Sequence, residues 1–228
     1  MKESTLVLLT LNEIAGLKAL FGQLPLELFG EVLAVDGGSS DGTREFFQEK
    51  GIRIVDQERP GRGEAMRKGA REAKGEFVLF FSPDGNEDPR DIQPLLEKLE
   101  AGYDLAIASR FMKESRNEED GKLFAFRLWA NKAYTWLANR LFNRSGIYVS
   151  DTINGFRAMK REAFLQLGLT EQRFPIEYQM SIRSMKRNLK IAEVPTREAD
   201  RLGGESKALS IPVGLGHLKI LTQELLGN

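Results

Sequence analysis

Residues 31–43 read EVLAVDGGSSDGT, and this stretch decides the fold expected for the chain. An apolar run of strand character leads directly into an acidic, glycine-rich turn, after which a helical pattern begins. In open α/β sheets, ligands bind beyond the carboxyl ends of strands, where glycine lets a ligand approach the backbone. We therefore predict a nucleotide pocket here, with Asp36 accepting hydrogen bonds from the base or the ribose. The competing interpretation is that Asp36 only stabilises its own turn.

A second acidic strand end occurs at residues 77–89, which read FVLFFSPDGNEDP. Asp84 follows the apolar run, and carboxylate oxygens are the ligands that hard cations such as Mg²⁺ and Mn²⁺ prefer. A nucleotide and a divalent cation together favour an activated-sugar donor as substrate. Glu87 and Asp88 are interpreted as exposed charges at the entry to a helix, with replacement metal ligands as the alternative, and Pro89 suits the first turn of that helix.

Apolar runs alternate with helical patterns from TLVLL near the start of the chain to YDLAIAS at residues 103–109. Such alternation is typical of βαβ units, so we predict an α/β fold with a mostly parallel central sheet flanked by helices. The length suits a single domain over residues 1–228. Beyond a charged stretch at residues 113–122, which predicts a surface loop, the order of elements changes. We assign donor binding to residues 1–110 and acceptor binding to residues 111–228.

The composition excludes several classes of protein. The chain has 33 basic and 33 acidic side chains and a formal net charge of zero, whereas nonspecific nucleic-acid binders carry a basic excess. There is no cysteine and one histidine, His217, which excludes disulfides and a multi-histidine zinc centre. No apolar run has the length of a membrane span or the make-up of a signal peptide. We expect a cytoplasmic protein, free or peripheral at the inner face of a membrane.

Seven motifs, in order and spacing, resemble those of family 2 glycosyltransferases. They are TLNE (10–13), VDGGSSDGT (35–43), PGRGEAMRKG (60–69), SPDGNEDP (82–89), ASRF (108–111), DTINGFRAMKREAF (151–164) and GGESK (203–207). Within that family the chain is most similar to dolichyl-phosphate mannose or glucose synthases, over nearly its whole length. The resemblance implies the Rossmann-like GT-A fold, a GDP- or UDP-hexose donor, transfer with inversion, and Mg²⁺ or Mn²⁺ as cofactor.

The resemblance also implies a set of donor-binding residues in the first half of the chain. These are Thr10, Asn12, Glu13, Asp36, Gly37, Ser39, Arg62, Gly63, Pro83 and Asp84. For Glu13, stabilisation of a helix start by the helix dipole is an equally good interpretation.

The metal motif departs from the family pattern. Relatives usually have Asp-x-Asp at this strand end, whereas Ser82, Pro83 and Asp84 keep only the second carboxylate, and Asn86 stands where glutamine is common. Asp84, Asn86 and Ser82 together with the donor's diphosphate would form a site of weaker metal affinity. Gly37 likewise replaces a frequent second aspartate. These two losses leave open a noncatalytic, nucleotide-binding relative.

Departure of a nucleoside diphosphate builds negative charge that fixed cations stabilise. Arg62, Arg110 and Arg157 are the candidates, because the guanidinium fork suits phosphate, although solvated surface arginines are common. The segment RLGGESK, with Arg201, Ser206 and Lys207, resembles the family's phosphate-binding loop. An ordinary charged loop is the alternative.

Asp151 lies in the segment that, in the family, borders the reacting carbon. It is interpreted as a general base toward a hydroxyl acceptor or as an orienting group toward a lipid phosphate, which needs no deprotonation. An aspartate that binds the amides of its own turn remains the alternative. Glu177 is an acceptor-side candidate from family context.

Residues 122–150 carry five basic side chains, no acid and both tryptophans. This pattern suits an interfacial helix on anionic lipid or a groove for a polyprenyl tail. Core packing and a homodimer contact are the alternatives. A polyprenyl phosphate is therefore the leading acceptor, and a soluble sugar or polysaccharide is the second. A nucleotidyltransferase is disfavoured, because no glycine-rich, lysine-bearing loop follows TLVLL.

Overall fold

The computed structural model describes residues 3–116, 126–199, 201–202 and 210–227. Within these ranges the strands are β1 (Ser4–Thr10), β2 (Glu31–Asp36), β3 (Arg53–Asp56), β4 (Phe77–Phe81), β5 (Leu105–Ser109), β6 (Arg157–Lys160) and β7 (Ile191–Pro195). The α-helices are α1 (Ile14–Leu20), α2 (Thr43–Glu49), α3 (Arg62–Glu72), α4 (Ile92–Glu100), α5 (Phe126–Phe142), α6 (Arg161–Gln166), α7 (Ile176–Lys186) and α8 (Ser210–Leu226). Short 3₁₀ turns cover Phe21–Gln23, Leu26–Leu28 and Pro89–Asp91.

The strands form one sheet in the order β3-β2-β1-β4-β6-β5-β7. All neighbouring pairs are parallel except the two that involve β6, which runs antiparallel between β4 and β5. The predicted mostly parallel sheet is therefore confirmed. β6 was not predicted from the sequence.

The apolar runs form strands because the sheet is covered by helices on both faces. Every residue of β1 and of β4 is buried, which is typical of strands in such sheets. Side chains alternate between the two layers of the core. Val7 and Phe80 contribute to one layer, and Leu8 and Phe81 contribute to the other.

The register brings the predicted binding residues to one edge of the sheet. Thr10 pairs with Asp36, and Asp36 pairs with Asp56. β1 also pairs with β4, with Leu8 opposite Phe81. The turns that follow β2 and β4 therefore lie on either side of the end of β1, at the carboxyl edge of the parallel strands.

Helix α1 packs directly on the loop after β4. A Cβ atom at Gly16 would lie 1.8 Å from the carbonyl oxygen of Pro83, a distance that only glycine permits. This close approach fixes the position of the Asp84 loop against the first helix.

Helix α5 presents its two tryptophans to the outside. Trp129 and Trp136 are 68% and 57% exposed, whereas Ala138 and Phe142 are buried. Core packing, one of the alternatives for this segment, therefore applies to one side of the helix and is wrong for both tryptophans. No helix in the described ranges is both long and apolar enough to cross a membrane.

Candidate functional site

The loop after β4 places Asp84 in a nearly buried position, with 6% of the residue exposed. Its Oδ1 accepts a hydrogen bond of 3.1 Å from the backbone N–H of Asn86, and its Oδ2 lies 2.8 Å from Nη1 of Arg201. The backbone N–H of Leu202 donates to the carbonyl oxygen of Asp84, and the amide of Asn86 donates to that of Ala199. The predicted metal residue and the predicted phosphate residue Arg201 are thus brought together.

Arg62, the first residue of α3, joins this loop to the second half of the chain. Its Nη1 donates a hydrogen bond of 2.6 Å to Ser82 Oγ, its Nε pairs with Glu177, and its Nη2 lies 3.7 Å from Glu87. A Cβ atom at Gly155 would lie 2.1 Å from Nη2 of Arg62, so a side chain at this position would displace the guanidinium. Burial lowers the pKa of Arg62, but the carboxylates of Glu177 and Glu87 outweigh it and raise the pKa above its ordinary value.

Glu177 sits at the start of α7 and is 2% exposed. One carboxylate oxygen pairs with Arg62, and the other, Oε2, has no hydrogen-bond partner among the described residues. A buried carboxylate oxygen in this state favours a bound hydrogen-bond donor.

The expectation that Glu87 is an exposed charge is wrong. Glu87 is 9% exposed, and its Oε2 accepts a hydrogen bond of 2.7 Å from the backbone N–H of Ser82. Burial raises the pKa of Glu87 to about 8. Its neighbour Asp88 does act at the helix entry, since its side chain accepts from the backbone N–H of Arg90.

Asp36 is 1% exposed. Its Oδ1 accepts a hydrogen bond of 2.5 Å from Ser39 Oγ, and its Oδ2 accepts from the backbone N–H groups of Gly38 and Ser39 and from Arg44. Burial alone would raise the pKa of Asp36, but these hydrogen bonds lower it below its ordinary value. Asp36 therefore makes the contacts expected of an aspartate that stabilises its own turn. A role in donor binding remains a prediction.

The turn after β1 is hydrogen-bonded to the turn that contains Asp36. Asn12 has a left-handed φ of 56°, its backbone N–H donates to Ser39 Oγ, and its side-chain oxygen accepts from the backbone N–H of Ser40. The backbone N–H of Glu13 donates to Thr43 Oγ1. Thr10 Oγ1 lies 3.4 Å from Asp36 Oδ1. The structure therefore gathers the predicted donor residues of the first two strand ends.

Gly37 and Gly63 both lie at close backbone contacts. The N–H of Gly37 donates to the carbonyl oxygen of Thr10, and the N–H of Gly63 donates to that of Gln172. Two other side chains border the Asp36 turn and carried no motif that identified them. Arg44 pairs with Asp36, and Gln57 lies beside Gly37.

Asp151 and Arg110 form a two-pronged ion pair. Arg110 Nε lies 2.7 Å from Oδ2, and Nη2 lies 3.0 Å from Oδ1. The backbone N–H groups of Ile153 and Asn154 also donate to Oδ1. Burial alone would raise the pKa of the fully buried Asp151, but Arg110 and these N–H groups lower it. Asp151 is therefore ionised at neutral pH, with both oxygens occupied.

Arg157 differs from Arg62 and Arg110 in having no exposed surface. Arg157 is fully buried, and its guanidinium donates to the carbonyl oxygens of Asn154 and Glu177 and to Ser181 Oγ. Burial lowers the pKa of Arg157 to about 10. It joins the turn after Asp151 to α7. Two further predicted residues, Ser206 and Lys207, lie outside the described residues.

Comparison with known protein families identifies a match to the model of glycosyl transferase family 2 over residues 6–168. The chain is 32% identical over 206 residues to glycosyltransferase AglJ of Haloferax volcanii, covering 88% of this chain and 64% of that protein. It is 28% identical over 211 residues to dolichol-phosphate mannosyltransferase of Pyrococcus furiosus, covering 89% and 58%. The chain therefore spans less than two thirds of either relative. Dolichyl-phosphate hexose transferase of Haloferax volcanii is 28% identical over 200 residues, covering 86% and 83%.

Solved structures show the same fold. The complex of glucosyl-3-phosphoglycerate synthase from Mycobacterium tuberculosis with UDP has a TM-score of 0.74 and 24% identity, covering 97% of this chain and 80% of that chain. The complex of that enzyme with Mn²⁺, UDP and glucosyl-3-phosphoglycerate has a TM-score of 0.71 and 23% identity, covering 98% and 79%. These likenesses confirm the GT-A fold expected from the sequence.

Proposed function

Because this chain belongs to glycosyl transferase family 2, we propose that it transfers a hexose from GDP- or UDP-hexose to a polyprenyl phosphate, with inversion at the anomeric carbon. Binding of the nucleotide-sugar donor is supported by a pair of carboxylates at the carboxyl edge of the sheet. Asp36 ends β2 and Asp84 follows β4, and these two strands lie on either side of β1. This is the edge at which α/β sheets bind nucleotides.

A divalent cation, Mg²⁺ or Mn²⁺, fits the Asp84 loop. Asp84 Oδ2 pairs with the guanidinium of Arg201 at 2.8 Å, and a bound cation would take the place of that guanidinium. Asp84 and Asn86 would hold the ion beside Ser82, and the bound ion would neutralise charge on the leaving diphosphate. No group of three or more His, Cys, Asp or Glu within the described ranges is arranged to hold a metal. The donor's phosphates would therefore complete the coordination.

In this proposal Arg62 and Arg110 supply fixed positive charge as the nucleoside diphosphate leaves. Arg62 is held in place by Ser82 and Glu177, and Arg110 is held by Asp151. Since these guanidinium groups are already oriented, little reorganisation is needed when negative charge develops.

The state of Asp151 supports a phosphate acceptor. Both of its oxygens are engaged by Arg110 and backbone N–H groups, so it is poorly placed to take a proton. A lipid phosphate is already anionic and needs only to be positioned. In this reaction Asp151 orients Arg110, and the acceptor oxygen attacks the anomeric carbon from the side opposite the leaving group. The dolichyl-phosphate relatives point to the same class of acceptor.

The outer face of α5 supports contact with lipid. Trp129 and Trp136 are seven residues apart and therefore share a helix face, together with the exposed Lys132 and Arg140. Indole rings interspersed with basic side chains suit the boundary of an anionic membrane. We assign this face to peripheral membrane contact, and a homodimer through the same face is the alternative.

One observation favours a second candidate, a soluble sugar acceptor. Glu177 Oε2 is buried without a hydrogen-bond partner among the described residues, and a carboxylate oxygen of this kind would accept the proton of an attacking hydroxyl group.

The experiment that tests the proposal is a transfer assay with labelled GDP- and UDP-hexoses, Mn²⁺, and either a polyprenyl phosphate or free sugars. We expect label to enter the organic phase with the polyprenyl phosphate, and expect Asp84→Asn to abolish this transfer. Label found only in a water-soluble product would favour the second candidate. Nucleotide binding without turnover of any donor would identify a noncatalytic relative.

A further inference from the structure

The side chain of Gln57, just after β3, is held in one orientation at the rim of the Asp36 turn. Its Nε2 donates a hydrogen bond of 2.7 Å to the carbonyl oxygen of Gly61 and also donates to that of Arg59. Its backbone N–H donates to the carbonyl oxygen of Asp36 across 2.9 Å. Since both partners of Nε2 are acceptors, the amide cannot be flipped without losing both bonds. The position of Oε1 is therefore fixed.

Gln57 Oε1 points toward Gly37. A Cβ atom built on Gly37 would lie 3.2 Å from this oxygen and 3.4 Å from the carbonyl oxygen of Thr10. The amide oxygen thus borders the space that a side chain at residue 37 would enter, between the ends of β1 and β2. Gln57 is half-buried, and its Oε1 has no hydrogen-bond partner among the described residues.

We propose that Gln57 Oε1 accepts a hydrogen bond from the ring N–H of the donor's nucleobase and thereby selects uracil or guanine. This inference rests on the proposed function, which places a nucleotide at the Asp36 turn. Uracil N3 and guanine N1 each carry a hydrogen at neutral pH. Cytosine N3 and adenine N1 carry lone pairs, which would face the amide oxygen and leave both acceptors unpaired.

The absence of a side chain at Gly37 gives this role its geometric basis. A carboxylate there would itself be an acceptor for a base, and it would occupy the space beside Gln57. In this chain the neutral amide of Gln57 is the acceptor at that place. A site built to accept one hydrogen bond discriminates strongly against a base that has no N–H group to donate it. It discriminates less strongly against a base that differs only in size.

The test is calorimetric titration of the full chain with UDP, GDP, CDP and ADP in the presence of Mn²⁺. We expect UDP or GDP to bind about tenfold more tightly than CDP and ADP, the effect of one hydrogen bond in a binding site. In Gln57→Leu this preference should nearly vanish, through loss of UDP or GDP affinity. Glu58→Gln, a change at the exposed neighbouring position, should keep the preference.

A rescue variant separates base recognition from simple disruption of the loop. Gly37→Asp combined with Gln57→Leu supplies a new acceptor oxygen in the same space, so the preference for UDP or GDP should return. If Gln57→Leu does not fold, Gly37→Ala still tests the inference, because its methyl group would crowd Oε1 and reduce the preference. The inference would be overturned if Gln57→Leu kept the parent's preference for UDP or GDP. If Gln57→Leu does not fold, the same result in Gly37→Ala would overturn it. Either result would leave the proposed function intact. Failure of the parent chain to bind any of the four nucleotides would overturn both.

Discussion

Arg62 Nη1 donates a hydrogen bond of 2.6 Å to Ser82 Oγ, just after the end of β4. The hydroxyl group of Ser82 is neutral, and the carboxylate that pairs with Arg62 is that of Glu177 instead. Ser82, a predicted metal residue, is therefore part of an arginine-centred network that joins the loop after β4 to α7.

Ser82→Asp should increase the affinity for Mn²⁺ in the presence of UDP by about tenfold, because a second carboxylate joins Asp84 at the strand end. Titration of Mn²⁺ into the UDP-saturated protein measures the change. Ser82→Asn is the matched control, since it is close in size to aspartate and adds no charge. Equal Mn²⁺ affinities of the two variants would contradict a metal site at this loop.

The ion pair between Arg201 and Asp84 should compete with metal binding. Because the guanidinium of Arg201 occupies Asp84 Oδ2, Arg201→Gln is expected to raise the affinity for Mn²⁺ several-fold without nucleotide, as Coulomb repulsion at the site is removed. Electron paramagnetic resonance of free Mn²⁺ measures this binding. Arg197→Gln, an exposed arginine on the same segment, is the control and should leave it unchanged. Weaker Mn²⁺ binding in Arg201→Gln would argue against competition.

His217 should make the stability of the protein fall at mildly acidic pH. It is 2% exposed, and its ring centroid lies 5.2 Å from those of Tyr134 and Tyr178. Burial lowers its pKa to about 4, whereas an unfolded histidine has a pKa near 6.5. Between these values only the unfolded chain binds the proton, so the free energy of unfolding decreases as pH falls from about 6.5 to about 4, by on the order of 3 kcal/mol.

Urea denaturation at pH 7 and at pH 5 measures this dependence. Since the chain has one histidine, His217→Phe should remove the histidine contribution to this pH dependence and leave that of the carboxylates. If the variant and the parent lose the same stability between the two pH values, His217 is not the group responsible.

The sequence predicts the sheet and the edge at which the site forms, because buried parallel strands such as β1 and β4 are long apolar runs. Once these strands are adjacent, the residues after them must meet. β6 is different, since it has four residues and begins and ends with Arg157 and Lys160. Its strand character comes from pairing with β4 and β5 on both sides, which no local pattern reveals.

The contacts inside the site were harder to predict. Glu87 has the sequence context of a surface charge, yet its side chain turns inward to bind the backbone N–H of Ser82. Gln57 lies outside every motif and reaches the Asp36 turn only because β3 pairs with β2. Such contacts depend on long-range packing, so charge and spacing along the chain do not encode them.

Trp129→Ala together with Trp136→Ala should weaken binding to vesicles that contain phosphatidylglycerol, because both indoles lie on the exposed face of α5. We expect at least a tenfold decrease in cosedimentation affinity and little change in melting temperature, since neither ring is part of the core. Lys132→Gln with Arg140→Gln should instead remove the dependence on anionic lipid and on salt. Leu225→Ala, an exposed apolar residue on α8, is the control. A parent chain that ignores vesicles but forms a dimer abolished by the tryptophan variant would assign the face to self-association.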